Sequence, residues 1–541
     1  MQIYQHGYYS DMAAKRHETL RSIEQKRGSI YVKEKDNLFP LITNKEYYDF
    51  YAEPVNFKND YKEILDKIAP ILQLTEEEYI NLESKLSRSD DPYEPIKNKI
   101  DKQQADQIKE LGFKGLGFIS KWHRYYPEKD IGGHVFGFVS VNDDGEKIGQ
   151  YGLEGYFNAD LSGQAGMIRS LKDGSGSLMT IGPREIQEPE DGVDIVLTID
   201  RQIQYTACQK LKEYVGKFSA KGGTVIIMEP TGAILAMCNM PDFDPENFSK
   251  VEDIFHFNNP AIFTPFEPGS VFKMITMAAG VDTNAVNPTT TYNDEGEVKF
   301  GKYPIRNSDR QAHGIQTMTQ VLEKSLNTGV MFVVDKIGKD TFKNYVEAFG
   351  FGKVTGIELN SEVAGNISAL NKEGEIYAAT ASFGQGITAT PLQLVTAFAA
   401  VANKGALPKP YIVSEVIHPT GEKQITQPQN VRQVISAKSA SVVTGMLTSV
   451  VENSYSQRAK VEGYYIAGKS GTAQIAGPGG NYTNQTNHSF IGYGPITNPR
   501  FVMLVTLYSP QGPRFSESTS VPMFGELANY LINYYNIQPD Y

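Results

Sequence analysis

Cysteine is scarce: Cys208 and Cys238 are the only two in 541 residues, so at most one bridge can form and no disulfide framework holds the chain together. Each reads as a small buried apolar residue. The scarcity leaves the compartment open, because it fits a reducing cytosol and a bacterial exterior alike. No stretch approaches the roughly 18 uncharged apolar residues that a membrane helix needs, and the best run, 392–402, is short and opens like a soluble helix. The N-terminus lacks the charged start and apolar centre of a secretory signal, so the sequence reads as soluble, or as a soluble part of something longer. The eight histidines show no metal-ligand spacing such as H-E-x-x-H, so neither a metal nor a cofactor is expected. Positive charge is in deficit, with 52 Lys+Arg against 63 Asp+Glu and a net charge of −11, and an acidic chain repels phosphate backbones. Nucleic acid is therefore not an expected partner. The single tryptophan, Trp122, reads as a core or domain-interface residue.

What remains is ordinary globular composition, 40% hydrophobic and 21% charged, at a length that calls for two or three compact units. Residues 4–25 are polar and helix-compatible, and Arg27-Gly28-Ser29-Ile30-Tyr31 turns into a strand. A helical lobe follows over about 57–112, where Tyr61, Ile64, Leu65, Ile68 and Leu72 keep helical spacing. Short apolar runs such as Val135–Val139 look like small strands, and 171–192 reads as a connector, which places the main boundary near 190: one domain over 1–189, a second over 190–541. In the second, Asp200 caps a helix over 201–218, and 224–228 and 233–237 flank the turn Glu229-Pro230-Thr231-Gly232 as a hairpin. Thr390-Pro391-Leu392-Gln393 is a capping box, with Gly405 where its helix would stop. Strand-like runs at 466–475, 489–493 and 501–508 precede a last helix over 522–535. Helices mixed with antiparallel strands make an α+β fold, not a βαβ series.

Gly463 to Ser470 satisfies G-x-x-x-x-G-K-[ST] letter for letter, the signature of a nucleotide-binding P-loop. A P-loop needs a helix starting at its lysine, so that the helix N-terminus faces phosphate. Here Tyr464-Tyr465-Ile466 are strand formers, and the Gly- and Pro-rich residues after Ser470 cannot hold a helix, so Lys469 is read on a strand. The same lysine gains meaning beside two other sites. Pro268-Gly269-Ser270-Val271-Phe272-Lys273 puts a hydroxyl and an amine one helical turn apart on one face. A serine alcohol is a weak nucleophile, and a neutral amine beside it can take its proton. Lysine ordinarily titrates near 10.4, so burial and nearby positive charge must lower it by about three units, roughly 4 kcal/mol of environment. Lys469 can supply part of that, while Ser325-Leu326-Asn327 offers a hydroxyl to relay protons and an amide to orient Lys273 and a substrate amide. Each triplet recurs by chance, but the ordered set S-x-x-K, S-x-N, K-[ST]-G matches the motifs of penicillin-binding proteins and serine β-lactamases.

On these motifs the chain resembles a class B penicillin-binding protein, the monofunctional D,D-transpeptidase of bacterial peptidoglycan synthesis. Phe383-Gly384-Gln385-Gly386-Ile387 and His488-Ser489-Phe490-Ile491-Gly492-Tyr493 resemble further family stretches, as do Arg27-Gly28-Ser29-Ile30, Arg124-Tyr125-Tyr126-Pro127 and Gly152-Leu153-Glu154-Gly155-Tyr156 in the first half. The family often continues Arg-Gly-x-Ile with Asp-Arg-x-Gly, whereas Val32-Lys33-Glu34-Lys35-Asp36 stands here. The resemblance implies an elongated N-terminal pedestal, followed by a transpeptidase domain with a central antiparallel sheet flanked by helices. It implies Ser270 as nucleophile on a D-Ala-D-Ala stem peptide, Lys273 as base, Ser325 and Asn327 in support, and an oxyanion hole from the amides of Ser270 and Thr472. Lys469, Ser470, Gly471 and Thr472 would hold the substrate carboxylate or the acid of a β-lactam. The resemblance also implies a membrane anchor outside this chain, an extracytoplasmic location and a membrane glycosyltransferase partner. The Phe266-Glu267-Pro268-Gly269-Ser270 lead-in points toward the division type. A β-lactamase or β-lactam sensor on the same scaffold and a non-catalytic wall scaffold are the competing readings. His488 reads as a packing histidine, and 477–487 as a mobile lip beside the cleft or a turn without a role.

Overall fold

The computed structural model describes residues 18–541 except 35–36, 58–59, 129–130, 144, 172–184, 302 and 478–480. Two compact units emerge, neither of them one continuous stretch: residues up to 30, 40–127 and 161–193 form the first, and 31–39, 128–160 and 194–541 the second. In the first, helices Tyr61–Leu72, Glu76–Leu86 and Lys102–Glu110 bury Ile64, Leu65, Ile68, Leu86 and Ile108 against Phe50 and Ile100 of neighbouring strands. Two of these helices begin with reciprocal capping boxes, Thr75 with Glu78 and Asp101 with Gln104, which satisfy amides that no helical carbonyl can reach.

Several expectations for the first 190 residues change. Of 4–25, the part through 17 lies outside the described residues, but Glu18–Ile23 is a strand paired antiparallel with Gly166–Leu171, not helix. Glu185–Gln187 pairs with the same strand, so the end of the expected connector is also sheet. The partner of Glu18–Ile23 lies some 150 residues away, and local composition cannot report it. The expected strand at 135–139 divides into a helical turn, Gly133–Phe136, and a strand, Phe138–Val141. Trp122 is only half-buried on its strand, with the Lys26 ammonium 5.0 Å from its ring centroid, and is not a core residue.

The second unit is built around a five-stranded antiparallel sheet. The elements that position the site are α1 (Arg201–Lys217), β1 (Gly222–Met228), β2 (Ile234–Met240), α2 (Lys273–Asp282), α3 (Asn327–Ile337), α4 (Pro391–Ala402), α5 (Ala437–Asn453), β3 (Ala467–Ala476), β4 (Tyr482–Gly494), β5 (Phe501–Tyr508) and α6 (Ser520–Tyr534). The strand order is β2-β1-β5-β4-β3. Every residue of β1 is buried, because α1 and α4 both pack on it, and β5 is likewise packed by α4 and α6; with helices on both faces a strand reads as an unbroken apolar run. Asp200 accepts from the amides of Gln202 and Ile203 at the start of α1, and Thr390 with Gln393 closes the start of α4 as a capping box.

Cys208 of α1 and Cys238 of β2 form a disulfide, against the reading of two separate thiols. Both are buried in the core cluster between helix and sheet, where they meet across 30 residues of sequence. Closing a loop of that length stabilises by about 3 kcal/mol. The double variant Cys208→Ala/Cys238→Ala is therefore expected to melt several degrees below the parent in a thermal scan, with an unchanged fold by circular dichroism.

Candidate active site

Three separate segments converge at the edge of the sheet. Ser270 lies half-buried in a 3-10 turn, Gly269–Phe272, that runs straight into α2, so Lys273 follows it by one turn as expected. All of α2 through Val281 is buried, which takes Lys273 with it to 0% exposure. Its Nζ donates to the Ser325 carbonyl at 2.5 Å and to the Ser325 hydroxyl at 3.1 Å. Ser325 can offer both oxygens because its backbone is left-handed, φ 55°, a conformation that non-glycine residues rarely hold. Asn327 opens α3, and its amide nitrogen donates to the Arg306 carbonyl; Lys273 is oriented by Ser325, not by Asn327 as the sequence suggested.

Lys469 sits on β3 opposite Ile491 of β4, so the P-loop alternative falls: its lysine is in a β-ladder, with no helix behind it. β3 is an edge strand, and an edge leaves alternate backbone N–H groups without a ladder partner, here beside the Ser270 turn. That closeness depends on glycine. A Cβ on Gly471 would meet Val271 Cγ1 at 2.9 Å and the Pro268 carbonyl oxygen at 3.3 Å. On the other side the Gly269 amide donates to the Gly384 carbonyl at 3.2 Å, and a Cβ on Gly384 would lie 2.4 Å from the Gly269 oxygen.

Burial and charge shape the two amines. Burial is the main force lowering Lys273 well below the ordinary lysine range, and the positive Lys469 adds to it. Lys469, 1% exposed, is lowered to about 8 by burial, with the Glu517 carboxylate pulling the other way. Glu517 had no place in the sequence reading. It accepts from the Ser470 hydroxyl at 3.1 Å, while Thr472 Oγ1 donates to Ser516 Oγ at 3.3 Å and accepts from the Ser516 amide at 3.1 Å. No spacing rule ties a glutamate to a motif 47 residues earlier. His488 is fully buried opposite Thr472, held between the hydroxyls of Thr519 (2.8 Å) and Thr486 (3.0 Å) and lowered to about 4 by burial, the packing histidine it was read to be.

The segment 477–487 changes character. Residues 478–480 lie outside the described residues, but Tyr482 to Asn487 continue β4 and pair back onto β3, Ala476 against Tyr482. The Tyr482 hydroxyl donates to Glu267 at 2.9 Å, and the other Glu267 oxygen accepts from the Gly386 amide at 2.9 Å. One carboxylate three residues before Ser270 thus ties together the Ser270 turn, the 384–386 loop and the hairpin. Burial pushes Glu267 above the ordinary carboxylate range, against those two hydrogen bonds. Glu267→Ala, which loses both, is expected to slow acylation by labelled penicillin about tenfold, and Glu267→Gln, which keeps an acceptor, by less; second-order acylation rates measure both.

Comparison with known proteins follows this geometry. Residues 222–529 match the penicillin binding protein transpeptidase domain, and 22–197 the penicillin-binding protein dimerisation domain. Stage V sporulation protein D of Bacillus subtilis is 32% identical over 509 residues, covering 93% of this chain and 77% of that protein. Peptidoglycan D,D-transpeptidase FtsI of Escherichia coli K12 is 29% identical over 453 residues, 82% of this chain and 73% of the other. Among solved structures, penicillin binding protein 3 of Mycobacterium tuberculosis complexed with ampicillin superposes with a TM-score of 0.71 at 24% identity, covering 96% of this chain and 97% of that one.

Proposed function

As a member of the penicillin-binding protein transpeptidase family, the class B kind with its dimerisation domain, the chain is a peptidoglycan D,D-transpeptidase that β-lactams acylate, and we propose that Ser270 is the residue that carries the acyl group. Neutral Lys273 takes the hydroxyl proton as Ser270 Oγ attacks the carbonyl of the D-Ala-D-Ala bond. The backbone amides of Ser270 and Thr472 hold the developing oxyanion, worth about 3 kcal/mol for one well-placed donor. Lys469 with the hydroxyls of Ser470 and Thr472 holds the terminal carboxylate, Gly471 lets strand and nucleophile approach, and Asn327 binds the amide of the acyl group. The leaving D-Ala nitrogen takes a proton relayed through Lys273 and Ser325. An amine of a second stem peptide then attacks the ester, freeing Ser270 and forming the cross-link.

The observation that carries this reading is Lys273, an amine buried to 0% exposure, held on Ser325 one turn from Ser270 and in the field of a second buried lysine. A structural lysine would be paired with a carboxylate; this environment favours the neutral base. Digestion of penicillin-treated protein is expected to place the adduct on the peptide containing Ser270, and an adduct on any other peptide would refute the assignment.

We further place the chain on the extracytoplasmic face of a bacterial membrane, beside a glycosyltransferase that makes the glycan strands, and read it as division-type. The Cys208–Cys238 bridge supports the location, since such bridges persist where thiols are oxidised. Among the described residues no helix is long and apolar enough to cross a membrane.

A further inference from the structure

The first turn of α3 has no cap of its own. Leu326, the residue before it, carries no side chain that can accept from a backbone amide, and Ser325 is committed to Lys273. The missing acceptor comes from 20 residues upstream: Asn307 Oδ1 accepts from the amide of Asn327 at 2.9 Å and from that of Thr328 at 3.2 Å. Its neighbour Arg306 offers a carbonyl to Asn327 Nδ2 at 2.8 Å, so two consecutive residues hold both the backbone and the side chain of Asn327. Asn307 is itself held by Asp294, a carboxylate only 1% exposed, whose two oxygens accept from Asn307 Nδ2 at 3.1 and 2.9 Å. The remaining donors to Asp294 are Thr328 Oγ1 at 2.7 Å and the amides of Gly296 and His313, both at 3.0 Å. A carboxylate only accepts, so it turns Asn307 Nδ2 toward itself and Oδ1 toward α3. Burying a charge on neutral donors alone is costly, and what it secures here is the direction in which one amide faces the Ser325-Leu326-Asn327 segment.

We propose that Asn307, oriented by Asp294, is a positioning residue that sets how Asn327 meets the amide of the acyl group. The proposal rests on the assignment of Asn327 to that amide. Asn307 acts through Asn327: it fixes the backbone at the start of α3 while the Arg306 carbonyl takes Nδ2, which leaves Asn327 Oδ1 for the ligand N–H. Loosening this turn lets Asn327 swing away from the ligand, and the loss falls on ligands that carry the amide.

Second-order acylation rates are measured for benzylpenicillin, whose side chain carries the amide, and for 6-aminopenicillanic acid, which has a bare amine there. In Asn307→Ala the benzylpenicillin rate is expected to fall at least about tenfold and the ratio of the two rates at least about threefold. A parent-like ratio in the folded variant, including an equal loss of both rates, would overturn the proposal, because a merely structural role moves both ligands together. A second pair of variants decides the matter even if Asn307→Ala does not fold. Asn307→Asp keeps an acceptor for α3 but sets two carboxylates against each other, so its ratio is expected to fall as well. The exchange Asp294→Asn/Asn307→Asp restores an N–H···O bond between the two side chains and is expected to bring the ratio back toward the parent. A parent-like ratio in Asn307→Asp, or no recovery in the exchange, would refute the proposal. Failure of the underlying site assignment would look different: Asn327→Ala would leave the ratio at its parent value, or the adduct on the parent protein would map away from Ser270.

Discussion

Ser270→Ala is expected to form no covalent penicillin adduct at any dose or time and to lose cross-linking activity by at least about 10⁵-fold, while still folding. The change removes one oxygen from a half-buried position and leaves the turn intact, because the left-handed angle in that turn belongs to Gly269, φ 58°. Two other hydroxyls of the site are already engaged, Ser325 with Lys273 and Ser470 with Glu517. Saturating β-lactam is still expected to raise the melting temperature of the variant, since the carboxylate subsite and Asn327 are untouched and binding to the folded state alone stabilises it. Gel fluorescence after denaturation, together with a thermal shift, reads both outcomes; a labelled band from the variant would move the nucleophile elsewhere.

Lys273→Met is expected to reduce acylation by at least about 10³-fold at neutral pH and to remove the acid limb of the pH–rate profile. In its proposed role Lys273 must be neutral to accept the proton, so the parent rate is expected to rise with pH as this lowered amine deprotonates. In its proposed role Lys469 must stay charged to hold a carboxylate, so the rate for an anionic ligand is expected to fall again as pH passes about 8. The stability contribution of Lys273 follows pH in the same direction. A lysine whose folded-state pKa is depressed binds fewer protons folded than unfolded, so stability rises with pH, and below the depressed pKa the folded protein bears the cost of a buried charge. Met fills a similar volume without that charge, and the variant is expected to melt no lower than the parent. A large loss of stability would mean that Lys273 holds the fold together instead of serving the chemistry.

How far the sequence reveals this molecule depends on the range of each interaction. The capping box at Thr390, the cap at Asp200 and the hairpin around Pro230 are local events, and residues within four positions of one another decide them. The catalytic motifs are legible for another reason: Ser270 with Lys273, and Lys469 with its strand, are constrained by chemistry that few residue types can perform. What stays hidden is pairing at a distance. Nothing near Cys208 announces Cys238, and nothing near Glu18 announces Leu171. Tyr482 to Asn487 looked like a loop because both faces of that hairpin end are polar, so the alternation that signals a strand is missing. Glu267 lay in plain view as part of the Pro-Gly-Ser lead-in, but its task is visible only once Gly386 and Tyr482 arrive beside it.

The near-contact between Gly471 and the Val271 turn sets the gauge of the cleft's inner wall through a methyl group that is not there. Any side chain at that position would push the strand and the Ser270 turn apart, and with them the proposed oxyanion donors. Substitution at Gly471 is therefore expected to be poorly tolerated, whereas the contacts of Glu267 with Gly386 and Tyr482 leave room for side-chain change.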